Sequence, residues 1–145
     1  MTKDVLISLC TVQSNSGGTQ EERTQTLISG NYYEKNDRHY ILYDEMMEGF
    51  SKAVKTKVKF NEEMLEIIRN GPIGVRMLFE KNKKNVTSYN TPYGNILLGI
   101  STKKINVMVQ PDIIEVDVEY TLYADGGHLS DCSMSMKIQS KKPGA

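Results

Sequence analysis

Strict alternation of apolar and polar residues constrains the fold of this chain more than any other feature of the sequence. In residues 53–60, Val54, Val58 and Phe60 share one face with Thr56, and lysines occupy the other. Residues 113–124 and 129–141 alternate in the same way. A period of two places successive side chains on opposite faces of a β-strand. Strands with one buried and one wet face predict an antiparallel sheet.

Turn signals separate these runs at short intervals, for example Asn36-Asp37, Gln110-Pro111-Asp112 and Asp125-Gly126. We therefore expect one all-β domain over residues 1–145, an antiparallel up-and-down β-barrel of about eight to ten strands, because closing a meander removes its exposed edges. The strands are predicted near residues 4–14, 22–35, 38–46, 52–60, 64–70, 74–82, 85–91, 94–109, 112–124 and 129–141.

One segment, "NEEMLEIIRNG" at residues 61–71, fits two interpretations. Asn61 resembles a helix N-cap, two acids follow it, and Gly71 is a typical residue after a helix end. The segment is also too short for a stable isolated helix, and it lies between two strongly alternating runs. The residues alone leave both strand and helix open, and strand is the favoured one.

Composition excludes several classes of function. The chain has 145 residues, and its 18 lysines and arginines balance 18 aspartates and glutamates, so it has no net charge to attract nucleic acid or an anionic membrane. Nothing in the sequence approaches the run of about 20 apolar residues that a membrane-spanning helix requires. Cys10 and Cys132 fit no metal-site spacing. We expect a soluble cytoplasmic protein with reduced cysteines.

The segment "TPYGNILLGIST" (91–102) sets a Pro-Tyr-Gly breaker before an alternating run. Pro92 pushes Thr91 into an extended conformation, and Gly94 is suited to a positive φ. A corner between two strands accounts for every residue except Tyr93. The alternative is a binding site at the mouth of the barrel that uses Tyr93 together with Tyr89.

Four segments together give the sequence a resemblance to the YwiB-like family of small bacterial proteins, mostly from low-GC Gram-positive organisms. They are "GNYYEKNDRHYILYDE" (30–45), "IRNGPIGVRMLFEK" (68–81), "TPYGNILLGIST" (91–102) and "YTLYADG" (120–126). The resemblance implies a lipocalin-like or calycin-type β-barrel and favours a strand over 64–70. It implies no activity, because the family has no established function and supplies no catalytic residues.

The residues that could support catalysis are sparse. His39 and His128 are the only histidines, each beside a turn, and no nucleophile-elbow motif accompanies them. "GPIGVR" lacks the full pattern of a phosphate-binding loop. The acids Glu115, Asp117 and Glu119 alternate along the wet face of a strand. We expect a protein that is not an enzyme, with no catalytic residues, no metal site and no cofactor.

Two hypotheses for function remain. In the first, the barrel holds a small apolar molecule, and the candidate ligand-binding residues are Arg69, Tyr89, Tyr93 and Tyr120. Arg69 shares a face with Leu65 and Ile67, so an inward guanidinium would need a carboxylate or a ligand anion as a partner. In the second, the protein is an interaction or regulatory module, for example a homodimer, that acts through its outer surface.

The alternation also predicts which side chains fill the barrel and how the cysteines lie. Cys132 shares a face with inward-pointing Met134, whereas Cys10 is on the other face of its strand, so no disulfide is expected. The residues predicted to point inward are Val54, Val58, Ile96, Leu98, Ile100, Val116, Val118, Leu122, Met134 and Ile138.

Overall fold

Ten antiparallel strands form a nearly closed barrel in the computed structural model, which describes residues 1–15, 21–46, 53–70, 74–91 and 94–141. No helix occurs within these ranges. The strands are β1 (Asp4–Asn15), β2 (Glu21–Lys35), β3 (Arg38–Met46), β4 (Ala53–Phe60), β5 (Met64–Asn70), β6 (Val75–Glu80), β7 (Lys84–Thr91), β8 (Gly94–Val109), β9 (Ile113–Ala124) and β10 (Gly127–Ser140).

The order of strands in the sheet is β6-β5-β4-β3-β2-β1-β10-β9-β8-β7. Neighbours in space are therefore neighbours in sequence, except where β1 pairs with β10 through a long ladder from Val5↔Ser140 to Asn15↔Ser130. The remaining seam lies between β6 and β7, which pack side by side without a ladder. The turn after β6 is fixed to β8 instead, because the Asn82 amide donates to the Thr102 carbonyl at 2.9 Å.

Tight turns connect the strands at positions that the sequence predicts. Asn36 and Asp37 both have positive φ, at 53° and 60°, as do Asp125 and Gly126, at 49° and 87°. Two-residue hairpins with positive φ at both positions match the twist of the strands they connect, and Asn, Asp and Gly adopt that conformation most readily. These dipeptides are the turn signals seen in the sequence.

The ambiguous segment forms strand β5 rather than a helix. The Asn61 side chain, which resembles a helix cap, instead accepts hydrogen bonds from the amides of Glu63 and Met64 at 2.8 and 3.0 Å. These bonds close the turn between β4 and β5. An N-cap signature and an Asx-type turn use the same side-chain oxygen, so the residue alone did not distinguish them.

Most of the predicted core is confirmed, with one error. Val54, Val58, Ile100, Val116, Val118, Met134 and Ile138 are buried, and Leu98 and Leu122 are half-buried. Ile96 was predicted to point into the barrel but is 38% exposed. The β8–β9 ladder begins only at Leu98↔Ala124, so Ile96 lies beyond the end of β9 and is paired on the β7 side, opposite Tyr89.

Both cysteines are free. Cys10 is opposite Ser135 in the β1–β10 ladder, and Cys132 is opposite Gln13, so three positions of register separate them. Cys132 is buried in the core and Cys10 is half-buried on the outer face.

One wall of the barrel has a gap in its ladder. β2 is 15 residues long, yet among the described residues it pairs with β3 only from Asn31↔Leu42 to Lys35↔Arg38. Gly30 marks the point of separation: a Cβ there would lie 2.7 Å from the Leu42 carbonyl oxygen. Only glycine fits that approach. Before this point the described residues that pair with β2 all belong to β1, and the β2 side chains from 21 to 27 are exposed.

Candidate functional site

A cavity of about 200 Å³ lies inside the barrel, and we refer to it as the interior cavity. It occupies the part of the interior away from the turn between β2 and β3. Its walls come from β1, β3, β4, β5, β6, β9 and β10, whose inward-facing side chains converge there. The lining residues are Leu9, Thr11, Tyr43, Val58, Ile67, Arg69, Met77, Phe79, Tyr120, Met134 and Met136.

Most of this lining is apolar and soft. Met77, Met134 and Met136 contribute thioethers, and Phe79 packs edge-on against Tyr120 with ring centroids 4.8 Å apart. The sequence predicted that Met134 points inward, and all three methionines line the cavity. Thioether side chains adapt to irregular spaces and contact aromatic rings favourably, so this wall suits an apolar molecule of variable shape.

Arg69 is the cation of the interior cavity, and its partner is a carboxylate of the protein. Its Nε donates to Glu45 Oε1 at 3.4 Å, and the hydroxyl of Thr56 donates to the same oxygen at 3.0 Å. The side chains of Arg69 and Glu45 are 24% and 20% exposed. The sequence analysis predicted that an inward Arg69 would need a carboxylate or a ligand anion as its partner. Glu45 is that carboxylate.

Two buried tyrosines complete the polar part of the wall. Burial and, to a smaller extent, the nearby Glu45 carboxylate raise the pKa of Tyr43 to about 12, against an opposing effect of Arg69. Burial also raises the pKa of Tyr120, with contributions from the adjacent Cys132 thiol and again an opposing effect of Arg69. The charge of Arg69 therefore acts on both hydroxyls, and both tyrosines stay neutral donors over the physiological pH range.

The predicted ligand-binding residues separate into two groups. Arg69 on β5 and Tyr120 on β9 both line the interior cavity, although these two strands are far apart in the order of the sheet. Tyr89 belongs to β7 and is opposite Ile96 in the ladder, but its side chain is outside the described residues, as is all of Tyr93. The proposed role of those two tyrosines stays a prediction.

The corner itself agrees with the structural interpretation of "TPYG". The β7–β8 ladder runs to Thr91↔Gly94, and Gly94 has a φ of 128°, a conformation that favours glycine. A strand ends at Thr91 and the next begins at Gly94, as the Pro and Gly positions predict.

Sequence reasoning missed Tyr43 and Glu45. Both share a face with the buried Ile41 on β3, and that parity was available in "RHYILYDE". An acid on an inward face, two strands from an inward arginine, is the signal that would have paired Glu45 with Arg69.

The two histidines make separate local contacts outside the interior cavity. His39 stacks on Phe60 at 5.1 Å, and its Nδ1 hydrogen-bonds the Tyr32 hydroxyl at 2.7 Å, so it is half-buried. His128 lies 3.4 Å from Asp131. Within the described ranges no group of three or more His, Cys, Asp or Glu residues is placed to hold a metal ion.

Larger hollows lie on the outside of the barrel. One of about 550 Å³ crosses β2, β1, β10 and β9 beside Cys10 and the carboxylates Glu115 and Asp117. These are solvated positions, and Asp117 accepts a hydrogen bond from Ser135 at 2.8 Å. The interior cavity is smaller, but it combines buried walls with inward polar groups, which is the usual construction of a ligand site.

Comparison with known proteins gives this architecture a family. The model of a domain of unknown function, DUF1934, matches residues 7–136. The chain belongs to the DUF1934 family. A relative, the uncharacterized β-barrel protein YwiB of Bacillus subtilis (strain 168), is 26% identical over 103 residues, covering 71% of each chain. The resemblance inferred from the sequence segments is thus confirmed.

A solved structure supports the fold of this DUF1934 member. The crystal structure of the ywiB protein from Bacillus subtilis matches with a TM-score of 0.79 and 22% sequence identity, over 98% of this chain and 96% of that one. The likeness covers the whole barrel. DUF1934 remains a family of unknown function. No helix within the described residues has the length and hydropathy to cross a membrane.

Proposed function

We propose that this protein is a non-catalytic barrel that holds a small, largely apolar molecule in the interior cavity. The observation that carries the proposal is the cavity itself: about 200 Å³ of space bordered by apolar and thioether side chains, with Arg69, Tyr43 and Tyr120 converging on it. Small-molecule sites characteristically combine an apolar lining with a few polar groups that orient the ligand.

The size of the interior cavity limits the ligand. A dry apolar cavity of roughly 150 Å³ accommodates benzene, whereas drug-sized ligands occupy sites of roughly 300 Å³ or more. A molecule of about six to ten non-hydrogen atoms therefore fits the cavity of about 200 Å³. The calycin-type barrel that the family resemblance implies supports binding of a small ligand only as an analogy of fold.

In this proposal the ligand reaches the interior cavity near the point where the described β2–β3 ladder ends. The two strands separate beyond the Asn31↔Leu42 pair, and Tyr43, the next residue of β3, lines the cavity. On the β1 side, Leu9 and Thr11 line it as well. A ligand that enters here avoids the packed end of the barrel, where short turns close the strands.

Native mass spectrometry of the protein purified from its own cells tests the proposal. We expect a bound species of low mass that organic solvent releases. Val58→Phe should abolish it by filling the interior cavity, whereas Val86→Phe, on the exposed outer face, should retain it. Cooperative urea unfolding of both variants is the control for folding. A parent protein that carries no ligand and binds no apolar compound of this size contradicts the proposal.

The second candidate is an interaction module that acts through the outer surface as a homodimer. Two large apolar side chains on neighbouring strands favour it: Val86 on β7 is 63% exposed and Leu97 on β8 is 53% exposed. A second copy of the chain would cover them. Sedimentation velocity should then show a dimer that Leu97→Ser dissociates, whereas a monomer at all concentrations contradicts this candidate.

We propose that the protein works in the cytoplasm, a compartment suited to its two free cysteines.

A further inference from the structure

The polar wall of the interior cavity carries no net charge. Arg69 contributes one positive charge, and Glu45, 3.4 Å away, contributes one negative charge. Among the described lining residues Arg69 is the only cation, and none is a carboxylate. The two hydroxyls beside it belong to Tyr43 and Tyr120, whose burial keeps them protonated. The positive charge of the Arg69 guanidinium is therefore already balanced by Glu45 when no ligand is bound.

The pairing of Arg69 leaves hydrogen-bonding capacity. Only Nε is engaged by Glu45, and this is the single hydrogen bond of the guanidinium within the part of the chain that the structure describes. An arginine side chain has five N–H donors, so its two terminal amino groups can still donate to an oxygen in the cavity. Tyr43, which is 6% exposed and lines the same space, adds a hydroxyl.

We infer that the ligand of the interior cavity is electrically neutral, an apolar body with one hydroxyl or carbonyl oxygen, and that the matching carboxylate is rejected. The inference rests on the proposed ligand-binding function. A carboxylate there would confront Glu45 as well as Arg69, which leaves one net negative charge in a largely buried site, and an uncompensated buried charge is strongly unfavourable. A neutral oxygen accepts the same hydrogen bonds without that cost.

Glu45 is in this scheme the residue that determines specificity. Its carboxylate is the counter-ion that makes Arg69 unavailable to an anion. The amide of Glu45→Gln keeps the shape and an oxygen acceptor for the Thr56 hydroxyl, but it removes the negative charge. The wall then carries one positive charge, and its preference should change from neutral oxygen to carboxylate.

A matched pair of probes, 1-hexanol and hexanoate at neutral pH, tests this inference. Binding is followed by NMR of methionine methyl groups, because Met77, Met134 and Met136 line the interior cavity while Met108, 58% exposed on the outside, serves as an internal control. In the parent protein we expect 1-hexanol to shift the three lining methyl signals with a Kd at least tenfold lower than that of hexanoate.

Two variants complete the design. Glu45→Gln should tighten hexanoate binding at least tenfold and change 1-hexanol binding less than twofold. Glu115→Gln removes an acid from the exposed outer face and should change neither. If Glu45→Gln fails to fold, the ratio of the affinities of the parent protein for 1-hexanol and hexanoate still tests the inference.

The outcomes separate this inference from the proposed function. Hexanoate that binds the parent protein as tightly as 1-hexanol overturns the inference and leaves the interior cavity as a binding site. If the lining methyl signals respond to neither probe, the proposed function fails, and the inference that rests on it fails with it.

Discussion

The two ends of the barrel interior are built on the same strands but are packed differently. Toward the end where β1 begins, the inward residues are fully buried branched or aromatic side chains, namely Val5, Ile7, Ile41, Phe60, Leu65, Ile114 and Ile138. We call this the packed half. Toward the opposite end, the same strands continue with the residues that line the interior cavity, and we call this the hollow half.

The change of chemistry occurs within single strands. β3 passes from Ile41 to Tyr43, and β10 passes back from Ile138 to Met136 and Met134. Branched aliphatic side chains have few rotamers and interlock closely, whereas methionine is flexible and specifies a core less tightly. The packed half supplies stability, so the hollow half is free to keep empty space and polar groups. This division predicts that the same kind of substitution changes the free energy of unfolding by different amounts in the two halves.

The largest expected contrast is between two truncations on β10. Ile138 is fully buried between Ile7 and Ile114, its partners in the two ladders. We expect Ile138→Ala to lower the free energy of unfolding by about 4 kcal/mol, and Met134→Ala, which enlarges an existing cavity, by about 2 kcal/mol. Urea unfolding measures both losses, provided that the unfolding free energies of the two variants depend on urea concentration with the same slope. Equal losses would show that the hollow half is packed as tightly as the other.

Alkaline pH should destabilise the hollow half through its tyrosines. The folded-state pKa of Tyr43 is about 12, above the value near 10 of an unfolded tyrosine, so its contribution is intact below pH 10 and is lost as the pH rises from 10 to 12. The slope is up to about 1.4 kcal/mol per pH unit, and Tyr120 adds in the same direction.

The matched variant for this prediction is Tyr43→Phe. It should reduce the loss of unfolding free energy above pH 10 by up to about 2.5 kcal/mol across the window. Unfolding free energies measured at intervals of pH, with tyrosinate absorbance recorded alongside, check the slope. An unchanged slope in Tyr43→Phe would mean that another group causes the alkaline loss.

Two arginine–glutamate pairs allow the inside and the outside of the barrel to be compared. Arg69 points into the hollow half toward Glu45, whereas Arg76 binds Glu66, whose side chain lies on the opposite face of β5 and is only 3% exposed. Among the described residues, Glu66 would keep Lys59 at 3.5 Å as a charged partner, whereas Glu45 would keep the Thr56 hydroxyl. We therefore expect Arg69→Ala and Arg76→Ala each to cost about 1–2 kcal/mol, the first because Glu45 loses its cation and the second because Glu66 is almost fully buried.

Removing both inner partners sharpens that test. The double variant Glu45→Met with Arg69→Met should recover most of the stability lost in Arg69→Ala, because no charge is left without a partner. Thermal and urea unfolding give the comparison. A double variant that is less stable than the single one would show that the pair itself stabilises the fold.

The sequence predicted the architecture better than it predicted the site, for a physical reason. Side-chain parity determines the face on which a residue lies, so the strands and the inward position of Arg69 were accessible from alternation. Where each strand ends relative to its neighbours depends on register across the whole sheet. That is why Ile96 was misplaced.

The interior cavity depends on register and also on volume. Its lining comes from seven strands, and no single strand shows that their side chains leave about 200 Å³ between them. Tyr43 and Glu45 could have been found by parity alone. Their contact with Arg69 and Tyr120 could not, because β3, β5 and β9 are distant in sequence.

The smallest expected effect comes from adding one methylene group to each half. Val58 borders the interior cavity, and Val5 is fully buried in the packed half. We expect Val58→Ile to change the free energy of unfolding by less than about 0.5 kcal/mol, because the added group enters empty space, whereas Val5→Ile should cost about 1 kcal/mol or more through overpacking. Val58→Ile should also weaken 1-hexanol binding, because it occupies part of the site, and Val5→Ile should not. If both substitutions cost the same stability, the space beside Val58 is closed in solution, and the distinction between the two halves does not hold.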